Sequence, residues 1–432
     1  VTYTPAWLVS IPERWSLARG SAIAKPIKRD PLNEDGVVTA FRDGEVTLRS
    51  LRRTDGFTEA LQETGYQGVR AGELVIHSMD GFAGAIGVSA SDGKMSPVVH
   101  IYRTPADNPH YVAHALRVAA SSGFIQSLGK GIRERSTSFD RATFKDMLLP
   151  RPPRREQDAI VEFLDRETAR IDTLIEEQEL LIELLRERRQ ALVETLTYGG
   201  VSSTAHRETR EEWLPSVPKP WQVIQLGFVA ETLAGWAFPS DGFSTSSDDT
   251  RLLRGVNVKP GSTDWTETVF WDAVGSPVPE DFSLHEGDLV FGMDRPFIGS
   301  GVRVASITSE DVPALLLQRV LRIRAGERLD PDYLRYVVMT RAFLSYLEPL
   351  FTGVSVPHAS EWQVRKFVMP LPPLCEQKAI CAQLDEQTTK IGQLIGEADL
   401  FIAFARERRA ALITAAVTGQ IDVLDTQPVA VG

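Results

Sequence analysis

The chain carries only two cysteines, Cys375 and Cys381, in 432 residues. That is too few for a disulfide framework, and neither has companion ligands for a metal site. No apolar run approaches the roughly 20 residues that span a bilayer. The start, VTYTPAWLVSIPERW, lacks the basic stretch and apolar core of a secretory signal. A reducing cytoplasm, with no membrane partner, is the expectation. Low-complexity tracts are missing as well. A composition of 43% hydrophobic and 24% charged residues is that of a globular protein, and the length suggests two to four domains.

Catalytic signatures are equally scarce. There is no G-x-x-x-x-G-K-[ST] phosphate loop. GFAGAIG at residues 81–87 has the wrong spacing for a dinucleotide turn. His110 and His114 stand at i, i+4, a spacing that can hold zinc from one helical face. They have no third ligand, and packing or capping suits them better. The other histidines (His77, His100, His206, His285, His358) are scattered, and no carboxylate pair stands out for acid–base work. The chain reads as a binder that holds neither a cofactor nor a metal.

What it does hold is a repeat. PRPPRREQDAIVEFLDRETARI at Pro150 returns at Pro370 as PLPPLCEQKAICAQLDEQTTKI. Residues 150–201 align on 370–421 without a gap, with 23 of 52 positions identical, an internal duplication. Each copy follows a proline-rich stop and opens a helix. Steps of four and three trace a heptad seam through Ile160, Leu164, Ile171, Leu174, Leu181, Leu185 and Leu192. The second copy gives Ile380, Leu384, Ile391, Leu394, Phe401 and Leu412. Five heptads predict a coiled coil, and about 40 residues make a rod on the order of 60 Å. Polar residues interrupt the seam at matching places, Glu167 with Gln387 and Arg188 with Arg408. They read as exposure near the helix ends or as a register device. Apolar residues beside the seam (Ile175, Ile182, Leu184; Ile395, Ile402, Phe404) widen the stripe beyond a two-helix contact and offer a second partner surface.

The segments before each helix echo one another more faintly. WLVSIPERW matches WLPSVPKPW, GELVIHSMD matches GDLVFGMD, and NPHYVAHAL matches DPDYLRYVV. Both mix β-like runs with short helix patterns, so they are read as two α/β domains of one fold. The expected fold class is α+β, with two α/β domains separated by two long antiparallel helices in a coiled coil. Such packing would set the domains at opposite ends of a rod, as a pseudo-twofold internal repeat. The expected boundaries are 1–149 and 213–369 for the domains and 150–200 and 370–421 for the helices. Residues 201–212 are read as a linker and 422–432 as a C-terminal tail.

The net charge of −11 does not by itself favour nucleic acid, but it is unevenly spread. Residues 1–149 carry 18 Lys/Arg against 16 Asp/Glu, and residues 213–369 carry 14 against 19. Affinity for phosphates follows the local field, so a basic groove can coexist with an acidic average. Three basic clusters lie in the first domain: Lys25, Lys28 and Arg29; Arg49, Arg52 and Arg53; Lys130, Arg133, Arg135 and Ser136. The second domain offers Arg251, Arg254 and Lys259, then Arg295, then Ser355, His358 and Ser360. Each cluster alone is an ordinary solvated surface. Together their arginines, lysines and hydroxyls are what phosphate positioning and base-edge reading require.

MPLPPLCEQKAICAQLDEQTTKIGQLI followed by RERRAALITAAVTGQI resembles the repeated helices of the specificity subunits of type I restriction–modification enzymes. The likeness covers nearly the whole chain. TGVSVPHASEWQVRKFVMPLP resembles the loop and helix that close a recognition domain in that family. The first copy departs from the pattern, with arginines in LLPRPPRREQ where the family has apolar residues. The resemblance implies two target recognition domains, each reading half of a bipartite double-stranded DNA target. The helices would serve as a ruler and as the dock for two methyltransferase subunits, and through them for restriction subunits. S-adenosylmethionine, ATP and magnesium would belong to those partners, and the chain itself would be non-catalytic. Two other readings stand beside this one. A protein-binding coiled-coil scaffold explains the rods but not two diverged α/β domains. A single-chain DNA methyltransferase or nuclease would need a catalytic motif such as an adenine-methylating [DNS]PP[YF] tetrapeptide, which the sequence lacks.

Overall fold

In a computed structural model the chain divides into two compact units, Val1–Glu179 with Asp399–Gly432, and Leu180–Ala398. The structure describes all residues except 1–4, 6, 9–10, 53–63, 129–137, 202–204, 300, 352–356 and 426–432.

The first unit is built on a four-stranded antiparallel sheet in the order Lys25–Ile27, Val99–Arg103, Leu74–His77, Ile86–Val88. Its central strand reads as an unbroken apolar run because both faces are covered. Val75, opposite Ile101, points into a small core with Val38, Val69 and Met95. Leu74 and Ile76 point the other way, into a larger core with the helix Pro109–Ser121. That helix starts where the sequence directs. Asn108 accepts hydrogen bonds from the backbone N–H groups of His110 and Tyr111, and Pro109 fills the first turn, where no N–H is needed.

The second unit repeats this plan in the order Ala230–Ala234, Val320–Ala325, Leu289–Gly292, Val304–Ser306. Leu289 and Phe291 face a core shared with the helix Pro331–Val338, while Val290 faces a second core with Ala305 and Val320. Asp330 caps that helix as Asn108 caps its counterpart. The two α/β domains therefore share one strand order.

Each domain joins its long helix through polar groups gathered around an equivalent buried glutamine. The strand Leu148–Arg151 pairs with Ser16–Arg19, and Val368–Leu371 pairs with Gln222–Gln225. Two prolines follow, then the helices Arg154–Gly199 and Leu374–Val417. The EQ pair common to both copies supplies the fastening. Gln157 donates through Nε2 to Pro152 O (2.9 Å) and Asp107 Oδ1 (2.8 Å), and accepts from Asn108 N (2.8 Å). Gln377 donates to Pro372 O (2.8 Å) and Arg328 O (3.0 Å), and accepts from Asp330 N (2.8 Å). Glu156 accepts from Arg14, and Glu376 from the Trp221 indole N–H.

A tyrosine from each domain helix then reaches the end of the other long helix. The Tyr111 hydroxyl lies between Pro150 O (3.2 Å) and Val417 O (3.3 Å), and Tyr333 between Pro370 O (3.4 Å) and Thr197 O (2.9 Å). Burial holds both phenols well above the usual tyrosine pKa, so each keeps the one proton it donates.

Each unit thus contains the start of one long helix and the end of the other, running antiparallel. In the first unit Arg409 pairs with Asp172, and Arg406 pairs with Glu179. In the second, Val193 and Leu196 share a core with Ile380 and Leu384. The buried seam differs in part from the sequence expectation. Ile160, Leu164, Ile171, Leu185, Ile380, Leu384 and Ile391 are buried, and Leu192 and Leu412 pack against the cores. Leu174, Leu181, Leu394 and Phe401 are exposed. From Ile171 the seam runs through Ile175 and Ile182, and in the second copy through Ala398 and Ile402. Residues 174/175, 181/182 and 401/402 are apolar pairs, so rows at +3 and at +4 fit the same pattern, and packing selects the +4 row. Arg188 and Arg408 are exposed.

Two boundary readings are also corrected. Within 201–212, His206–Glu211 is a strand that pairs antiparallel with Leu214–Pro218. It is polar throughout and mostly exposed, so no alternation marked it. Within 422–432, Val423 is buried in the first unit and Asp422 accepts from Arg14. No helix is long and apolar enough to cross a membrane among the described residues.

The revised seam makes a contrast between neighbours. Ile182→Ala should lower unfolding free energy by about 2–5 kcal/mol, as for a buried aliphatic truncation. Leu181→Ala should change it by under about 0.5 kcal/mol. Urea unfolding followed by circular dichroism measures both, and equal losses would return the seam to Leu181.

Candidate nucleic-acid interface

In the second unit three loops meet at one end of the sheet. The strand Leu289–Gly292 leads into Met293, Asp294 and Arg295. The turn at Arg319 leads into Val320–Ala325, and residues 357–360 lead into the helix Glu361–Lys366. Backbone bonds lock the loops together: Met293 N to Arg319 O (3.0 Å), Ala359 N to Met293 O (2.9 Å) and Arg295 N to Pro357 O (2.7 Å). Beneath them Arg303 donates to Asp294 O (2.8 Å) and Val258 O (3.1 Å). On top, the His358 Nδ1 lies 2.8 Å from Asp294 Oδ1 and 3.3 Å from the Arg319 guanidinium, which is itself 3.6 Å from Asp294. Arg295 and Arg319 both have left-handed backbones, at φ 45° and 70°, and no other residue besides glycine does so among those described.

The other expected cations of this unit fall into two kinds. Arg251 donates to Glu310 O (2.8 Å) and lies over the Trp265 ring, and Arg254 donates to Glu267 O (2.6 Å). These guanidiniums hold loops. Lys259 sits 3.6 Å from Asp264 with a well-exposed side chain, and Arg295 is exposed. Ser360 caps the helix Glu361–Lys366 in a reciprocal box with Gln363. Ser355 lies outside the described residues.

In the first unit the same division holds. Arg29 grips the buried Glu73 with both ends of its fork (2.6 and 3.1 Å), and Arg52 is bound to Asp43 and Glu45. Arg49 donates to the Thr39 hydroxyl (3.2 Å) and Lys25 to Ser21 O (3.0 Å), while Lys28 is exposed. Arg53, Lys130, Arg133, Arg135 and Ser136 lie outside the described residues. Asp80, which follows the central strand as Asp294 does, accepts from Arg42 (2.8 Å), and its N–H donates to His77 Nδ1 (3.1 Å). An aspartate with an arginine and a histidine thus recurs at matching places. Arg319 and Arg42 were not singled out from sequence. Arg319 stands in the apolar run LLLQRVL, where only its backbone angle marks it.

Behind Asp80 opens a cleft of about 430 Å³ lined by Arg42, His114, Arg117, Arg406, Arg409 and Thr414. Three of its four arginines are neutralised, by Asp80, Glu179 and Asp172. Burial, with the adjacent Arg117, pushes the His114 pKa down to about 4. Among the described residues no three His, Cys, Asp or Glu side chains come together as a metal site would need.

No family model matches the sequence. The fold is that of type I specificity subunits. A chain from a structure of type I R–M complex assembly superposes with a TM-score of 0.66 at 17% identity, covering 95% of this chain and 100% of that one. The HsdS subunit from Thermoanaerobacter tengcongensis gives 0.55 at 16% identity, over 95% and 98%. Sequence points the same way. The chain is 29% identical over 282 residues to the type I restriction enzyme MjaVIII specificity subunit of Methanocaldococcus jannaschii, covering 63% of this chain and 62% of that one. It is 33% identical over 171 residues to the EcoAI specificity subunit of Escherichia coli, 39% of this chain and 28% of that one. The matches thus span less than two thirds of these curated relatives. In fold and in sequence the chain is similar to the specificity subunits of type I restriction–modification systems.

The half-buried His114 gives a pH signature. The folded-state pKa of His114, about 4, is below its unfolded value near 6.5. The unfolded chain therefore takes up a proton first, and stability falls as pH drops from about 6.5 toward 4. His100, also held near 4 by burial and Arg141, acts in the same direction. His114→Leu should flatten the loss of melting temperature between pH 7 and 5 without abolishing it. An unchanged slope would place the proton uptake elsewhere.

Proposed function

We propose that the chain is a non-catalytic subunit that reads a bipartite double-stranded DNA target, one half with each α/β domain. It docks two methyltransferase subunits on its long helices and, through them, restriction subunits. The observation that carries this reading is a repeated framework with diverged loops. The glutamine fastening, capped helix and tyrosine contact recur at equivalent places, whereas the cations around Asp80 and Asp294 come from different loops. A frame duplicated for shape, with tips that differ, suits two readers of different words. The kinship with type I specificity subunits supports the same reading.

A second repeated feature supports the partners. Leu180, Leu181 and Leu184 are 58%, 40% and 53% exposed in the second unit. Leu400, Phe401 and Phe404, each 220 residues later, are 60%, 43% and 65% exposed in the first. Apolar groups kept in water at equivalent places mark interaction surfaces, and two equal patches suit two copies of one partner. In this reading S-adenosylmethionine, ATP and magnesium are held by the partner subunits, and methyl transfer to a base flipped from the duplex is theirs.

Lys28→Ala and Lys259→Ala, in a complex with methyltransferase subunits, should each shallow the log K against log salt slope by about 0.9. Unchanged slopes would set both lysines off the DNA. A complex that selects no bipartite sequence from random duplexes would refute the reading itself.

Leu184→Asp with Phe404→Asp should abolish co-purification of methyltransferase subunits while leaving the chain's melting temperature near that of the parent, since both side chains are already in water. Retained assembly would move the dock elsewhere.

A further inference from the structure

We propose that Arg319 and Asp294 together read one G·C pair in the half-site of the second domain, an inference that rests on the DNA-reading function above. The argument begins with the backbone. At φ 70° Arg319 adopts a conformation that glycine takes freely and a side-chain-bearing residue takes at a cost. Arg295, whose N–H is bound to Pro357 O in the same loop cluster, is held likewise at φ 45°. Glycine would be the residue of least strain at both places. What the fold gains from arginine at 319 is small, because its ion pair with Asp294 joins side chains 58% and 38% exposed, and exposed pairs contribute little. Nearby arginines show the contrast. Arg322 is buried on Glu231, and Arg324 is bound to the buried Asp288. Those two hold the domain together, and Arg319 does not. Its conformation is explained by something outside the chain.

The chemistry of the pair selects the ligand. Asp294 and His358 engage one end of the Arg319 guanidinium, which leaves the rest of a five-donor fork facing solvent. A phosphate offers only acceptors and repels a carboxylate, so a phosphate-binding arginine gains nothing from Asp294 at its side. The major-groove edge of a G·C pair offers both kinds of group, the guanine O6 and N7 as acceptors and the cytosine N4 amino as a donor. The fork suits the first and the carboxylate the second. Asp294 also positions the arginine, and His358 meets the same carboxylate oxygen, Oδ1, which leaves Oδ2 to accept from the cytosine.

The backbone angle supplies the test. Arg319→Gly removes the side chain and relieves the strain, so the variant should melt at or above the parent temperature. In the full complex with methyltransferase subunits, selection from random duplexes should show that the parent requires guanine at one position of the second half-word. Arg319→Gly should lose that preference by roughly 5- to 150-fold, with the first half-word unchanged. Arg319→Lys keeps the charge but not the fork, and should lose the same preference with the parent salt slope. A glycine variant that keeps the whole second half-word overturns the proposal. So does one whose binding weakens equally for every sequence while the salt slope shallows by about 0.9, which would make Arg319 a phosphate contact. If the parent selects no bipartite word, DNA reading fails first, an outcome distinct from these.

Discussion

Two buried amides, Gln157 and Gln377, fix where each globular domain meets its helix. Each carries two donors and an acceptor, and each has a full set of partners. One donor goes to the carbonyl of the proline stop, the other to the loop before the domain helix, and the acceptor takes the N–H of that helix's cap residue. Replacing either amide by an apolar group would take a partner from the proline carbonyl and from the cap N–H at once, a cost beyond that of one hydrogen bond. The capped helix sets the tyrosine, the tyrosine finds the end of the other long helix, and the sheet packs on that helix. The position of the loops at Asp80 and Asp294 follows from this chain of contacts.

The repeat also shows how a fold can hold its frame while its surface diverges. Asp80 and Asp294 end equivalent strands, yet Arg42 and His77 meet the first while Arg319 and His358 meet the second. The strand end dictates the aspartate's place, and any loop that passes nearby can supply its partners. Exchange of loops can then change the surface without disturbing the two cores beneath.

Much of the architecture was legible in the sequence. A 220-residue offset, prolines before each helix, and Asn108 and Asp330 ahead of Pro109 and Pro331 state the helices and their starts in local terms. The seam phase was not legible, since Leu174 beside Ile175 and Leu181 beside Ile182 satisfy either row and only packing decides. The strand His206–Glu211 escaped because neither face is apolar enough to alternate. For the interface, sequence located cations but could not sort them. Arg29 and Arg254 look like Lys28 and Arg295 as letters, and they differ only in whether a buried carboxylate or a carbonyl claims the charge. Arg319 was invisible because its signal is a dihedral angle.

The sharing of helix ends has a consequence for the order of synthesis. The core of the first unit contains Ala416 and Val417 beside Leu164, so the earlier-made of the two domains lacks part of its interior until residues 416 and 417 are made. The second unit needs only residues 180–398, all of which emerge earlier. The domain begun first is therefore completed last. While residues 180–398 are being made, its apolar face around Ile160 and Leu164 stays open, which makes the nascent first domain the stage at which chaperones matter most.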